Sequence, residues 1–238
     1  MRCGSCCGWY EPAVVLEDPP TARVVPREPA RRLFFALWPD EAMRRAMVQA
    51  TREVVREAGG RPIPPSHLHV TLAFLGAVPE TRLRELADSV RAVSAVRPPA
   101  AGASVPGDRQ RAAREGEDAP ARRLEIAFDH LEHWRAAQLL CAMPANPPTP
   151  VVALARRLRD GLSASGFAPD LKSSWSVGVD LAKPFRPHVT LARKVHRLPC
   201  AMEIAPVAWS FADFVLVDSK TLPEGSIYTV LERFPLGG

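Results

Sequence analysis

Apolar residues along this chain gather into short runs and helical stripes separated by proline-rich connections. Leu33, Phe34, Phe35, Ala36, Leu37 and Trp38 form an unbroken apolar run ended by Pro39, the pattern of a strand covered on both faces. Asp40 stands where it can cap a helix. Over residues 41–58, Met43, Met47, Ala50 and Val54 recur at the spacing of one helical face, and Gly59 and Gly60 stop it. A strand is predicted over 68–75, ending at Gly76. A second amphipathic helix then carries Leu83, Leu86, Ala87, Val90 and Val93, with Pro79 and Glu80 suited to its first turn.

Further strands are predicted over 124–128 and 137–143. Thr149 and Pro150 read as N-cap and first-turn residue of a helix through Leu162, with Val151, Leu154, Leu158 and Leu162 on one face. The chain closes with strands predicted over 188–194, 211–217 and 227–232. Strands and helices interleave without a steady βαβ rhythm, so the expected fold class is α+β. Residues 1–30 carry Pro12, Pro19, Pro20, Pro26 and Pro29 without periodicity and read as a disordered leader before a single domain over 31–238. Within that domain, 98–121 and 163–187 read as flexible loops.

Composition narrows the class. At 24% charged and 47% hydrophobic residues, the 238-residue chain is an ordinary globular protein. No run approaches the roughly 18 apolar residues needed to span a bilayer, and the N-terminus lacks the apolar core of a secretory signal. A cytoplasmic monomer is expected. The net charge of +5 permits a polyanionic partner, yet lysine occurs only at 172, 183, 194 and 220. Such arginine-heavy usage accompanies alanine and proline enrichment and does not by itself demand nucleic acid. The five cysteines are an odd count. Cys3, Cys6 and Cys7 have no second ligand pair nearby to complete a zinc site, and Cys141 and Cys200 read as buried structural thiols.

The chemistry lies in a pentapeptide that occurs twice. His-Val-Thr-Leu-Ala spans 69–73 and again 188–192, each copy entered through prolines: Pro64 and Pro65 before the first, Pro184 and Pro187 before the second. Side chains alternate along a strand, so His69, Thr71 and Ala73 are expected on one face and Val70, Leu72 and Phe74 on the other. His188, Thr190 and Ala192 repeat the pattern. Two residues of strand span about 6.6 Å, so each copy can aim one imidazole and one hydroxyl into a common cleft. Imidazole serves as acid or base near neutrality, and hydroxyls can donate to phosphate oxygens. His67 and His69, two apart, also admit a metal reading, although no carboxylate or cysteine lies close in sequence.

The sequence resembles the two-histidine phosphoesterase superfamily, and within it the RNA 2',3'-cyclic phosphodiesterases also called 2'-5' RNA ligases. The likeness rests on Arg-Leu-Phe-Phe-Ala-Leu at 32–37, His-Val-Thr-Leu-Ala-Phe-Leu-Gly at 69–76, Arg-Pro-His-Val-Thr-Leu-Ala-Arg at 186–193, and Gly-Ser-Ile-Tyr at 225–228 ahead of Phe234 and Pro235. It implies a bilobal fold with two small antiparallel sheets facing each other across a groove, helices outside. It implies His69 as proton donor, His188 as proton acceptor, and Thr71 and Thr190 on the phosphate. Arg193 and Phe34 match family positions beside the substrate. By alternation, however, Arg193 falls on the face of Leu191, away from the phosphate, unless a bulge intervenes.

The resemblance further implies hydrolysis of a terminal 2',3'-cyclic phosphate on RNA to a 2'-phosphate, without metal or cofactor, with reverse 2'-5' ligation allowed by microscopic reversibility. Two alternatives stay open at this point. One keeps the chemistry but takes small cyclic nucleotides or cyclic ADP-ribose derivatives, and the other is a noncatalytic module that binds RNA ends. The leader, residues 98–121 and an insertion around 173–183 depart from the family pattern without removing any of these positions.

Overall fold

The computed structural model describes residues 28–95, 123–167, 185–199, 202–223 and 225–236. Most of the expected leader and of the two expected loops lies outside these residues. Where the start is described, structure begins earlier than the sequence suggests: β1 (Ala30–Leu37) already pairs Ala30 with Pro79.

Among the described residues, nine strands form two antiparallel sheets. The first has the order β3 (Val70–Pro79), β1, β8 (Asp213–Leu222), β9 (Gly225–Pro235). The second runs β2 (Arg61–Pro62), β6 (Val189–Arg193), β5 (Leu139–Met143), β4 (Leu124–Trp134), β7 (Glu203–Phe211). The fold is α+β, as expected. Each motif strand lies in a different sheet, with β3 at the edge of the first.

The helices interlock the sheets. Helix α1 (Glu41–Ala58) starts where the Asp40 side chain accepts from the Met43 amide at 2.8 Å and ends at Gly59, whose φ of 66° suits glycine. It follows a strand of the first sheet but packs on β6 and β7 of the second, and the Trp209 indole donates to the Met43 carbonyl. Helices α2 (Leu83–Ala95) and α3 (Thr149–Ala164) pack together, and α3 reaches back to β3. The α3 stripe of Val151, Leu154, Leu158 and Leu162 is buried, as its spacing predicts. Thr149, however, is already helical and caps nothing; the amides of Val151 and Val152 bond instead to the Pro148 carbonyl. One apolar core joins both sheets, from Leu33, Phe35 and Leu72 on one side to Ile126, Leu140 and Leu191 on the other.

Strand β7 was not predicted. Its buried residues alternate as Val207, Trp209 and Phe211, but Pro206 interrupts the pattern, and a proline is tolerated there because β7 is an edge strand. At the opposite edge Gly60 brings β2 close to β6. A Cβ at Gly60 would lie 2.6 Å from the Arg193 carbonyl oxygen and 2.7 Å from a Val195 methyl, so only glycine allows this approach.

Candidate active site

Both motif strands carry the same irregularity. Across β1 and β3, Phe35 pairs with Ala73 and Ala36 with Thr71, leaving Leu72 as an extra residue. Across β5 and β6, Leu140 pairs with Ala192 and Cys141 with Thr190, leaving Leu191 extra. A bulge turns two successive side chains to one face. Leu72 and Ala73, and likewise Leu191 and Ala192, therefore all enter the core.

Expected strand parity is corrected from that point on. Ala73 and Ala192 leave the face of their threonines, while Phe74 and Arg193 join it. Phe74 lines a recess with Arg32, Phe34, His69, Thr71, Ser219 and Tyr228. Arg193 lies close enough to His67, His69 and Tyr228 for its charge to be felt at all three. The objection that alternation raised to Arg193 is thus removed by the backbone itself.

The histidines are anchored identically. His69 Nδ1 lies 2.7 Å from the His67 carbonyl oxygen, and His188 Nδ1 lies 2.9 Å from that of Arg186, in each case two residues upstream. A carbonyl only accepts, so each Nδ1 carries the hydrogen and each Nε2 keeps its lone pair. The approaches explain this geometry. A 3-10 turn at Pro65–His67 presents the first carbonyl, and Pro187 biases Arg186 toward an extended backbone that presents the second. Thr71 Oγ1 donates to His69 Nε2 at 3.0 Å.

Each imidazole also leans on a tryptophan that the sequence did not mark. His69 stacks on Trp38 at 5.5 Å, and His188 lies 4.5 Å from Trp134. An arginine covers each indole, Arg44 over Trp38 and Arg186 over Trp134. Tyr228, the last residue of the Gly-Ser-Ile-Tyr segment, also reaches the site. It stands perpendicular to His69 at 5.6 Å and lies 4.5 Å from His67. Because β9 and β3 are opposite edges of one sheet, this contact requires the sheet to curl over the site. Phe34 sits 5.0 Å from the His69 ring at 3% exposure, so it is the floor of the recess rather than its open wall.

Burial holds both imidazoles below the usual histidine range. His69 is pushed down to about 4, chiefly by desolvation, with the His67 carbonyl opposing and the charges of His188, His67 and Arg193 adding to the depression. His188 is lowered chiefly by burial and also by Arg186, against its carbonyl bond and Glu132. The charge of His188 is felt at His69, so the two rings, one from each sheet, lie within electrostatic reach of each other. Cys141 lies opposite Thr190 and hydrogen-bonds to it, and burial pushes its thiol up to about 12, which leaves it protonated and unreactive. Among the described residues no group of three His, Cys, Asp or Glu side chains is placed to hold a metal ion, and no helix is long and apolar enough to cross a membrane.

Two antiparallel sheets, each carrying one His-x-Thr strand, with the imidazoles within electrostatic reach of each other, define a two-histidine phosphoesterase architecture. The profile of the 2'-5' RNA ligase superfamily matches residues 38–220, and the chain belongs to that superfamily. It is 34% identical over 219 residues to an RNA 2',3'-cyclic phosphodiesterase of Thermus thermophilus, covering 87% of this chain and 91% of that protein. An Escherichia coli protein of the same name is 27% identical over 213 residues, covering 87% and 97%. The crystal structure of E. coli LigT complexed with 3'-AMP superimposes with a TM-score of 0.66 at 22% identity, covering 87% of this chain and 99% of that one, a likeness of fold.

Proposed function

We propose that this chain is an RNA 2',3'-cyclic phosphodiesterase that opens the terminal cyclic phosphate to a 2'-phosphate by acid–base catalysis. The observation that carries the reading is the matched pair of imidazoles, one from each sheet, each with Nδ1 fixed on a backbone carbonyl so that Nε2 is the atom able to exchange a proton. Two relatives that align over most of the chain bear the same name.

In this mechanism His188 Nε2 takes a proton from water as the water oxygen bonds to phosphorus. The bond from phosphorus to the 3' oxygen breaks, and His69 delivers its Nε2 proton to that oxygen. Thr71, Thr190 and Arg193 donate to the non-bridging oxygens, where negative charge gathers. Tyr228 and Trp38 flank the nucleoside above Phe34. No metal, cofactor or second chain takes part in these steps, so a monomer suffices.

A low affinity of His69 for protons suits an acid whose proton is retained only when substrate is present. An anionic phosphate beside the ring favours the imidazolium and raises its pKa. The sign of the pH response follows. In the free enzyme both pKa values lie below the usual 6.5, so the pair has lost its protons before pH reaches that value. The pH profile of kcat/KM is expected to be a bell with its maximum on the acid side of 6.5, and the kcat profile is expected to lie at higher pH because bound phosphate raises both groups. A kcat/KM profile that is flat, or still rising above pH 8, rules out the pair.

The deciding assay uses a synthetic oligoribonucleotide ending in a 2',3'-cyclic phosphate, with the product isomer resolved. A 2'-phosphate product, formed equally well in EDTA, is expected. A 3'-phosphate product overturns the assignment of the leaving oxygen, and loss of turnover in EDTA overturns the metal-free route. Faster turnover of a cyclic mononucleotide than of the oligonucleotide moves the substrate class to small cyclic nucleotides.

A further inference from the structure

We propose that Arg159 is a positioning residue for this reaction, a buried guanidinium behind the groove that holds the first motif strand and the approach to the second at a fixed separation. Arg159 lies on the inner face of α3 among Val151, Leu154, Ala155, Leu158 and Leu162, and only 9% of it is exposed. A charge placed there is costly unless it is specifically engaged. Asp160, the acid next to it in sequence, points outward and pairs with Arg156 instead.

The engagement is with both halves of the site. Arg159 Nε donates to the Leu72 carbonyl oxygen at 3.3 Å, and Leu72 is the extra residue of the bulge between Thr71 and Phe74. The guanidinium carbon lies 5.0 Å from the centre of the Phe185 ring, three residues before His188. One planar group thus uses its edge on the first strand and its face on the second approach, a combination lysine does not offer.

Comparison of the two motif copies sharpens the point. In the second copy, the carbonyl of the extra residue, Leu191, accepts from the Ile63 backbone amide at 2.8 Å, supplied beside β2. Strand β3 is the sheet edge, with no strand on its outer side among the described residues. There a side chain from α3 does what backbone does in the other lobe. The same bulge is therefore held twice, and in the first lobe the holder also touches the other lobe. Loosening it lets His69 and His188 drift relative to each other, and a misplacement of about 1 Å is enough to cost roughly 100-fold in rate.

The inference rests on the two-histidine reading above, so its test runs with His69→Ala and His188→Ala in the same assay on cyclic-phosphate RNA. Arg159→Met removes a costly buried charge but also the donor to the Leu72 carbonyl, so it is expected to fold with a modestly lowered melting temperature. Its kcat per folded molecule is expected to fall about 30- to 100-fold with KM changed less than about 3-fold. Arg159→Lys should recover part of the loss, and Phe185→Leu, which removes only the stacked ring, should show a smaller loss of the same kind. Unchanged kcat in the folded Arg159 and Phe185 variants, with both histidine variants inactive, overturns this inference alone. Wild-type rates in the histidine variants overturn the reading beneath it. If Arg159→Met does not fold, Arg159→Lys and Phe185→Leu decide by the same criterion.

Discussion

Replacing His188 by alanine is expected to lower kcat on a cyclic-phosphate RNA end by about 100- to 10,000-fold, and replacing His69 by a similar factor, the range a positioned acid or base contributes. Both rings stand on backbone carbonyls and tryptophan faces rather than in the shared core, so each truncation leaves the fold in place. The double variant should be scarcely worse than either single one, because groups that act in one proton relay do not contribute additively. Single-turnover rates on a labelled oligonucleotide, with circular dichroism to verify folding, provide the measurement. Retention of more than about a tenth of the wild-type rate by a folded single variant is incompatible with the relay.

Thr71→Val and Thr190→Val are each expected to lower kcat by roughly 100- to 1,000-fold, the cost of losing one donor aimed at developing negative charge. Valine keeps the branched shape that the strand accommodates and removes only the hydroxyl. In the free protein the two hydroxyls are occupied differently: Thr71 donates to His69 Nε2, whereas Thr190 is bonded to the Cys141 thiol. Thr71 must therefore release the imidazole before it can bind phosphate. Loss of Thr71 should consequently raise the apparent pKa of the acid limb as well as slow the reaction, because a donor to the neutral ring has gone. The limb should stay unmoved in Thr190→Val. Equal rates of wild type and both valine variants would remove the threonines from the transition state.

Much of this arrangement can be read from the chain, and the exceptions share a physical cause. Periodicity places α1 to the residue and identifies the buried stripe of α3, because a helix repeats its environment every few positions. The duplicated motif, with its chemistry, is equally legible. Phe74 and Arg193 were assigned to the wrong face because a single extra residue reverses strand parity, and register depends on the partner strand rather than on the motif. Pro206 hides β7, and β4 is longer than predicted because it continues past a bulge after Phe128 to reach Trp134. Trp38, Trp134 and Tyr228 belong to the site only through contacts between distant segments, which no local pattern contains.

Each imidazole is backed by a peptide carbonyl. Unlike a carboxylate, a peptide oxygen never ionises and cannot accept the proton outright, so neither ring is designated donor or acceptor by what stands behind it. In the proposed mechanism the machinery is close to interchangeable end for end, and the walls are what differ: aromatic at the position of Phe74, cationic at the equivalent Arg193. A ligand lying the opposite way would meet the same two imidazoles in exchanged duties.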